Sequence, residues 1–137
     1  MALEFSLLVS RTNAELTRRL DRRLGAFHGL SFVDYIVLNE LARDASGRLR
    51  RVDLAEKLGL TQSAVTRILL PLEKIGLVSR HPDPKDARVG YAALTKTGRV
   101  MHENATVTAE ETCGDLLSGI ADEEFEAART VFGRITR

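Results

Sequence analysis

Apolar residues return every three or four positions through most of this chain, and the places where that rhythm breaks divide it into segments. Leu16, Leu20, Leu24 and Phe27 form one stripe, with Arg18, Arg19, Arg22 and Arg23 on the remaining faces. Residues 5–25 are therefore predicted to be an amphipathic helix, its end bracketed by Gly25 and Gly29. Ser31-Phe32-Val33-Asp34 has the form of a capping box with Asp in the reciprocal position, opening a helix that runs to about Ala45. Phe32, Val33, Tyr35, Ile36, Val37, Leu38 and Leu41 cover nearly every side of that helix, which implies burial at the centre of the core.

The stretch from Leu54 to Val78 reads as two helices and a turn. The first covers roughly residues 52–58 and stops at Gly59, a residue able to take the left-handed conformation of many helix C-termini. The second opens at Thr61, whose hydroxyl can accept from free backbone N–H groups. Val65, Ile68, Leu69, Leu72 and Ile75 give it an apolar stripe, while Gln62, Ser63, Thr66 and Arg67 occupy the opposite face together with Leu70. That polar face holds short hydrogen-bonding side chains and an arginine instead of the Lys/Glu mixture of a merely solvated helix. Helix, tight turn and polar-faced helix make a helix-turn-helix, whose second helix enters the major groove of DNA; ordinary helical hairpins share the pattern. Pro71 cannot donate to the Arg67 carbonyl and in a helix interior costs on the order of 3 kcal/mol, so a kink or an early end is expected there.

Two short strands follow, Val78 to His81 and Val89 to Leu94, joined by a loop with two prolines and the turn residues Asp83, Lys85 and Asp86. Arg80, Lys85 and Arg88 outnumber the two aspartates, which suits approach to a polyanion, and an arginine at the tip suits a minor groove. Thr95 then caps a long helix predicted to reach about Ser118, with Gly119 as its stop. Its β-branched threonines and valine lower helix propensity, and its small residues Ala105, Ala109, Cys113 and Gly114 suit close approach of another helix in a dimer core. Asp122 is expected to cap a last helix striped by Phe125, Ala128, Phe132 and Ile135. Nothing later in the chain covers those terminal stripes, so self-association is the economical explanation.

Composition changes this picture in one respect. At 137 residues with 44% hydrophobic content the chain has the material for one domain with a real core, and its net charge of +1 says nothing about nucleic acid. The distribution does: residues 1–102 carry 17 basic and 11 acidic side chains, residues 103–137 only 3 basic and 8 acidic. Phosphate would attract the first part and repel the second, which places the DNA-facing lobe in the middle of the chain. Cys113 is the single cysteine, so a reducing, cytoplasmic setting is expected and no intrachain disulfide can form. The start MALEFSLLVS lacks the basic region of a secretory signal, and no apolar run approaches membrane-spanning length.

Leu54-Ala55-Glu56, the run Thr61 to Arg67, Leu72-Glu73-Lys74 with Gly76-Leu77-Val78, the wing residues Asp83-Pro84 and Asp86-x-Arg88, and Leu94-Thr95 with Gly98 together resemble the MarR family of winged helix-turn-helix transcription regulators. They cover about a third of the chain. Pro71 departs from the family, which usually has a polar residue before the Leu-Glu pair. The resemblance implies a mainly α fold with a small β-wing. A winged helix-turn-helix lobe at 30–94 would sit beside dimerisation helices at 1–29 and 95–137, with Leu49 adding a third strand to the wing. It implies a cytoplasmic homodimer that binds an inverted repeat in double-stranded DNA, most simply as a ligand-responsive repressor.

On this reading Gln62, Ser63, Thr66 and Arg67 read bases, Arg67 through a guanine and Gln62 through an adenine, with Leu70 near a thymine methyl. Phosphate contacts fall to Thr61, Arg50, Arg51, Lys57, Arg80 and Lys85. Arg88 matches the family's wing motif and is expected in the minor groove, oriented by Asp86; the alternative is a surface pair between the two without DNA. The family also binds small aromatic or phenolic anions between its dimer helices and its DNA-binding lobe. Arg19, Arg23, Phe27, His28 and Tyr35 are the candidates to line such a crevice, or else form a hydrogen-bonded boundary of the core. Cys113, in mid-helix, is expected to be a buried inert thiol instead of a redox switch.

No cofactor is called for. His28, His81 and His102 are scattered, and the chain has no H-E-x-x-H, no phosphate-cradling glycine loop and no nucleophile elbow, so an enzyme is not expected. The rival of another class is a helical dimerisation module that binds protein and no DNA. Salt-dependent binding to duplex DNA separates the two.

Overall fold

The computed structural model describes residues 1–86 and 88–137, which leaves Ala87 of the wing loop outside the described residues. Six helices and three strands follow in the order α1 (Ala2–His28), α2 (Phe32–Arg43), β1 (Arg48–Arg50), α3 (Arg51–Leu58), α4 (Gln62–Lys74), β2 (Val78–Pro82), β3 (Gly90–Leu94), α5 (Lys96–Leu116) and α6 (Asp122–Ile135).

Most of these boundaries have a local cause in the side chains. Ser31 Oγ accepts from the Asp34 N–H at 3.1 Å while Asp34 Oδ2 accepts from the Ser31 N–H at 2.9 Å, the reciprocal capping box that starts α2. Thr61 Oγ1 accepts from the Ala64 N–H at 3.1 Å and starts α4; Thr95 Oγ1 accepts from the Gly98 N–H at 2.9 Å and starts α5. At the other ends Gly29 and Gly59 close α1 and α3 at φ 68° and 65°, in the left-handed region where a side chain would be strained. The predicted first helix was too short, since α1 runs straight past Gly25.

The three strands form one antiparallel sheet in the order β1-β3-β2. Leu49 faces Ala92 across β1 and β3, so the third wing strand implied by the family resemblance is present; Val78 faces Leu94 and Arg80 faces Ala92 across β2 and β3. One core joins sheet to helices: Leu20 and Leu24 of α1, Val37, Leu38 and Leu41 of α2, Leu54 of α3, and Val65, Leu69 and Leu72 of α4 are all essentially excluded from solvent. Leu49, Leu77, Val78 and Ala92 attach the sheet to them. Burial of a leucine on this scale contributes roughly 1.5–3 kcal/mol.

Four expectations need correction. Pro71 does not end the recognition helix, which continues to Lys74. Leu69 and Leu72, on either side of the proline, are both 2% exposed and hold the two halves against the core, while Pro71 itself lies on the solvent side. Ile75 does not extend the apolar stripe: it caps the helix and is 60% exposed. Asp122 is not a cap. Ala121 stands at that position without a side-chain bond, and Asp122, Glu123 and Glu124 favour the first turn of α6 through their charge against the helix dipole. Finally, Ala105 and Ala109 are buried within this chain, where α5 lies along α1 and α2, so close packing inside the protomer already explains them.

α6 buries no residue at all, and no residue of α1 before Leu20 is buried. Phe125, Phe132 and Ile135 on α6, and Leu3, Phe5, Leu7 and Leu8 on α1, are exposed, although the Phe5 and Phe132 rings meet, tilted, with centroids 6.4 Å apart.

Candidate nucleic-acid interface

The turn between α3 and α4 is short because the Leu60 N–H donates to the Ala55 carbonyl at 2.9 Å, which folds the chain back at Gly59 and delivers Thr61 to its capping position. Burying Val65, Leu69 and Leu72 then fixes the rotation of α4. Thr61, Gln62, Ser63, Arg67 and Leu70 are left exposed, and Thr66 half-buried. No described residue covers Gln62 or Arg67.

The wing loop is closed by its own backbone: the Asp83 N–H donates to the Val89 carbonyl and the Val89 N–H to the Asp86 carbonyl, both at 3.0 Å. Asp86 Oδ1 accepts from the Arg88 backbone N–H at 3.0 Å and from its Nε at 3.2 Å. The Arg88 guanidinium, and then its backbone N–H, hold the Asp86 carboxyl below its usual range. The Arg88 side chain is nevertheless 92% exposed. The aspartate orients it without removing it from the surface.

Recognition helix and wing meet in a cleft of about 310 Å³ lined by Arg50, Arg51, Val52, Gln62, Arg88, Val89 and Gly90. Among the described residues, three arginines and no carboxylate line it. Arg50 is held by a two-pronged pair with Asp53, Nε to Oδ2 at 2.9 Å and Nη2 to Oδ1 at 3.1 Å, which makes it hold its proton more tightly still. Arg80 on β2 and Lys85 at the loop are exposed on the same wing. Lys57 is elsewhere: it lines a separate cleft with Glu40, Arg43, Asp44 and Thr136. Gly90 and Val52 were missed in the sequence. A glycine opening a strand was the available signal, since it often marks a close approach to the backbone.

The five effector candidates are spread over the α1, α2 and α5 region. Arg19 and Arg18 both pair with Glu15, Arg19 first in lowering its carboxyl below the usual range. Arg23 lies over the Phe27 ring at 5.3 Å, and Phe27 is 66% exposed instead of closing the α1 stripe. His28 Nε2 is 2.7 Å from Thr108 Oγ1, and Tyr35 Oη is 2.8 Å from Thr106 Oγ1 while its ring stacks on His102. The hydrogen-bonding groups of His28 and Tyr35 are thus engaged by α5. Cys113 is only partly buried, and that burial raises its thiol above the usual range.

A model of the MarR family matches residues 37–89, the segment from α2 through the wing. A MarR-family regulator from Rhodococcus sp. RHA1 superposes with a TM-score of 0.90 at 25% identity, over 99% of this chain and 94% of that one. Over residues 37–89 the chain is similar to the MarR family. Its winged helix-turn-helix has the fold of Sco3205, a MarR-family transcriptional regulator from Streptomyces coelicolor whose structure is in complex with DNA, at a TM-score of 0.86 and 26% identity over 98% of this chain and 86% of Sco3205. YdgJ of Bacillus subtilis, an uncharacterised HTH-type transcriptional regulator, is 34% identical over 83 residues, 61% of this chain; that match spans about half of YdgJ, 51% of its length.

Proposed function

We propose that this chain is a MarR-family, sequence-specific DNA-binding transcriptional regulator and not an enzyme. The observation that carries the reading is the carboxylate-free cleft of Arg50, Arg51 and Arg88 between the exposed face of α4 and the wing. An α-helix fits the major groove, and an arginine-tipped ribbon beside it fits the neighbouring minor groove. Sco3205 presents the same fold to DNA. Gln62, Ser63, Thr66 and Arg67 are the proposed base readers. Thr61, Arg50, Arg51, Arg80 and Lys85 are proposed at phosphates, and Arg88 in the minor groove. Lys57, in its separate acid-lined cleft, is the weakest member of that set.

The working unit we infer is a homodimer closed by α6 and the first half of α1, whose apolar faces find no cover within the protomer. A twofold pair sets two recognition helices about one helical turn apart on an inverted repeat. Repression relieved by a small aromatic or phenolic anion between the dimer helices and the DNA-binding lobe is the corresponding mode of control, read as a shift between docking-competent and incompetent dimers.

Mobility shifts on duplex DNA across a salt series test the reading. Affinity is expected to fall steeply with salt, as phosphate neutralisation requires. Arg67→Ala is expected to cost about 1–3 kcal/mol on the preferred sequence and to relax selectivity at one base pair. Binding that ignores salt, or no binding to any duplex, would leave the protein-interaction module as the better account.

A further inference from the structure

Arg51 differs from the other two arginines of the cleft. Arg50 has Asp53 and Arg88 has Asp86, whereas among the described residues Arg51 has no carboxylate partner. It stands at the first position of α3, half-buried, where α3, α4 and the wing converge. Its guanidinium lies across the backbone of Gly90, so close that a Cβ there would sit 2.9 Å from Nε and 3.0 Å from Cζ. From that seat Nη1 reaches Thr66 Oγ1 at 3.5 Å. Gly90 has no unusual backbone angle among the positive-φ glycines, so the space it leaves for Arg51 is what distinguishes it from alanine.

A threonine in a helix divides between two side-chain rotamers, and a donor placed beside its oxygen favours one of them. A hydroxyl that accepts from a cation is also a better donor through its own hydrogen. We propose that Arg51 is a positioning residue for base reading: seated on Gly90, it engages the Thr66 hydroxyl and turns it into a donor for a base edge that presents an acceptor. In the major groove those edges are thymine O4, guanine O6 and N7, and adenine N7; cytosine offers only its amino donor there. The inference rests on the DNA-reading function proposed above and names a specificity that function leaves open.

Selection from a random-duplex pool by the wild-type protein and by Thr66→Val, which keeps the shape and loses the hydroxyl, identifies the position Thr66 reads as the one whose preference disappears. There the wild type is expected to disfavour cytosine by about tenfold against a base that presents an acceptor, guanine, thymine or adenine. Arg51→Lys keeps the charge but loses the flat guanidinium; Gly90→Ala keeps Arg51 and removes its seat. Both are expected to lose that preference at that position; Gly90→Ala, which leaves every proposed phosphate contact in place, does so with affinity for unrelated duplex and its salt dependence within about twofold of wild type, whereas Thr66→Ser retains the preference. The atoms nearest the new methyl of Gly90→Ala all belong to the flexible Arg51 side chain, so this variant reports even if Arg51→Lys fails to fold in a thermal melt. Unchanged preference in both variants, a uniform loss on every duplex, a wild-type preference for cytosine, or no effect of Thr66→Val overturns the proposal. Wild-type protein that distinguishes no duplex from any other refutes the DNA reading itself, before any variant is made.

Discussion

Helix α4 and helix α6 are both amphipathic by sequence, yet the protein treats them in opposite ways. α4 buries Val65, Leu69 and Leu72 in the core and exposes the side that carries Gln62 and Arg67. α6 carries an equally regular stripe of Phe125, Ala128, Phe132 and Ile135 and buries none of it. Periodicity therefore states that a face needs a cover and is silent about whether the cover lies in the same chain. For α4 the cover is α2, α3 and the sheet. For α6 the shortfall is the argument for a second copy, since exposed apolar patches on this scale mark interaction sites.

Phe132→Glu attacks that difference most directly and has the largest expected effect. The charge is tolerable where Phe132 is now 44% exposed, but not in an interface between two protomers. Sedimentation should show a shift from dimer to monomer, with the central lobe still melting cooperatively on its own core. Losing the link between two half-sites should weaken binding to an inverted repeat on the order of a hundredfold or more. If the mass stays dimeric, α6 is not the dimer face and the contrast between the two helices fails.

Gly98→Ala tests the well-packed side of the same contrast. A Cβ at Gly98 would overlap the Leu77 carbonyl, where the first turn of α5 presses on the end of the recognition unit and Thr95 Oγ1 donates to the Gly76 carbonyl at 2.6 Å. Backbone cannot swing aside as a side chain can, so a loss of about 1–3 kcal/mol is expected, read as a lower urea midpoint at unchanged slope. No change would mean that this joint is softer than its geometry implies.

How much of this was legible beforehand follows from the range of each interaction. The capping box at Ser31, the caps at Thr61 and Thr95 and the glycine stops at Gly29 and Gly59 are settled within four or five residues, and the structure has them where they were expected. The early end expected at Pro71 is absent because the burial of Leu69 and Leu72, which tertiary contacts supply, outweighs local propensity. Ile75 and Phe27 fell on the right helical spacing, but each stripe runs out before reaching them. The exposed polar face of α4 was readable because it is one helix. The cleft was not, since Arg51, Gln62, Arg88 and Gly90 come from three elements that only the packed sheet brings together.

A smaller effect concerns the seam between the lobe and the long helix. His102 on α5 stacks on Tyr35 of α2 at 5.5 Å and lies 3.0 Å from Asn39 Oδ1 through Nε2. Partial burial pushes its pKa below the ordinary 6.5, against an opposing pull from Glu103 and with a smaller push in the same direction from Arg99. Because the unfolded imidazole takes a proton at higher pH than the folded one, the unfolded state binds more protons as pH falls below 6.5. The stability that neutral His102 contributes is present above that pH and is lost as pH drops through its lower folded value. Melting temperature should therefore decline on acidification through this window, and His102→Gln should flatten that part of the profile. A profile of the same slope with and without the imidazole would assign the acid sensitivity to the carboxylates of the wing and of α1 instead.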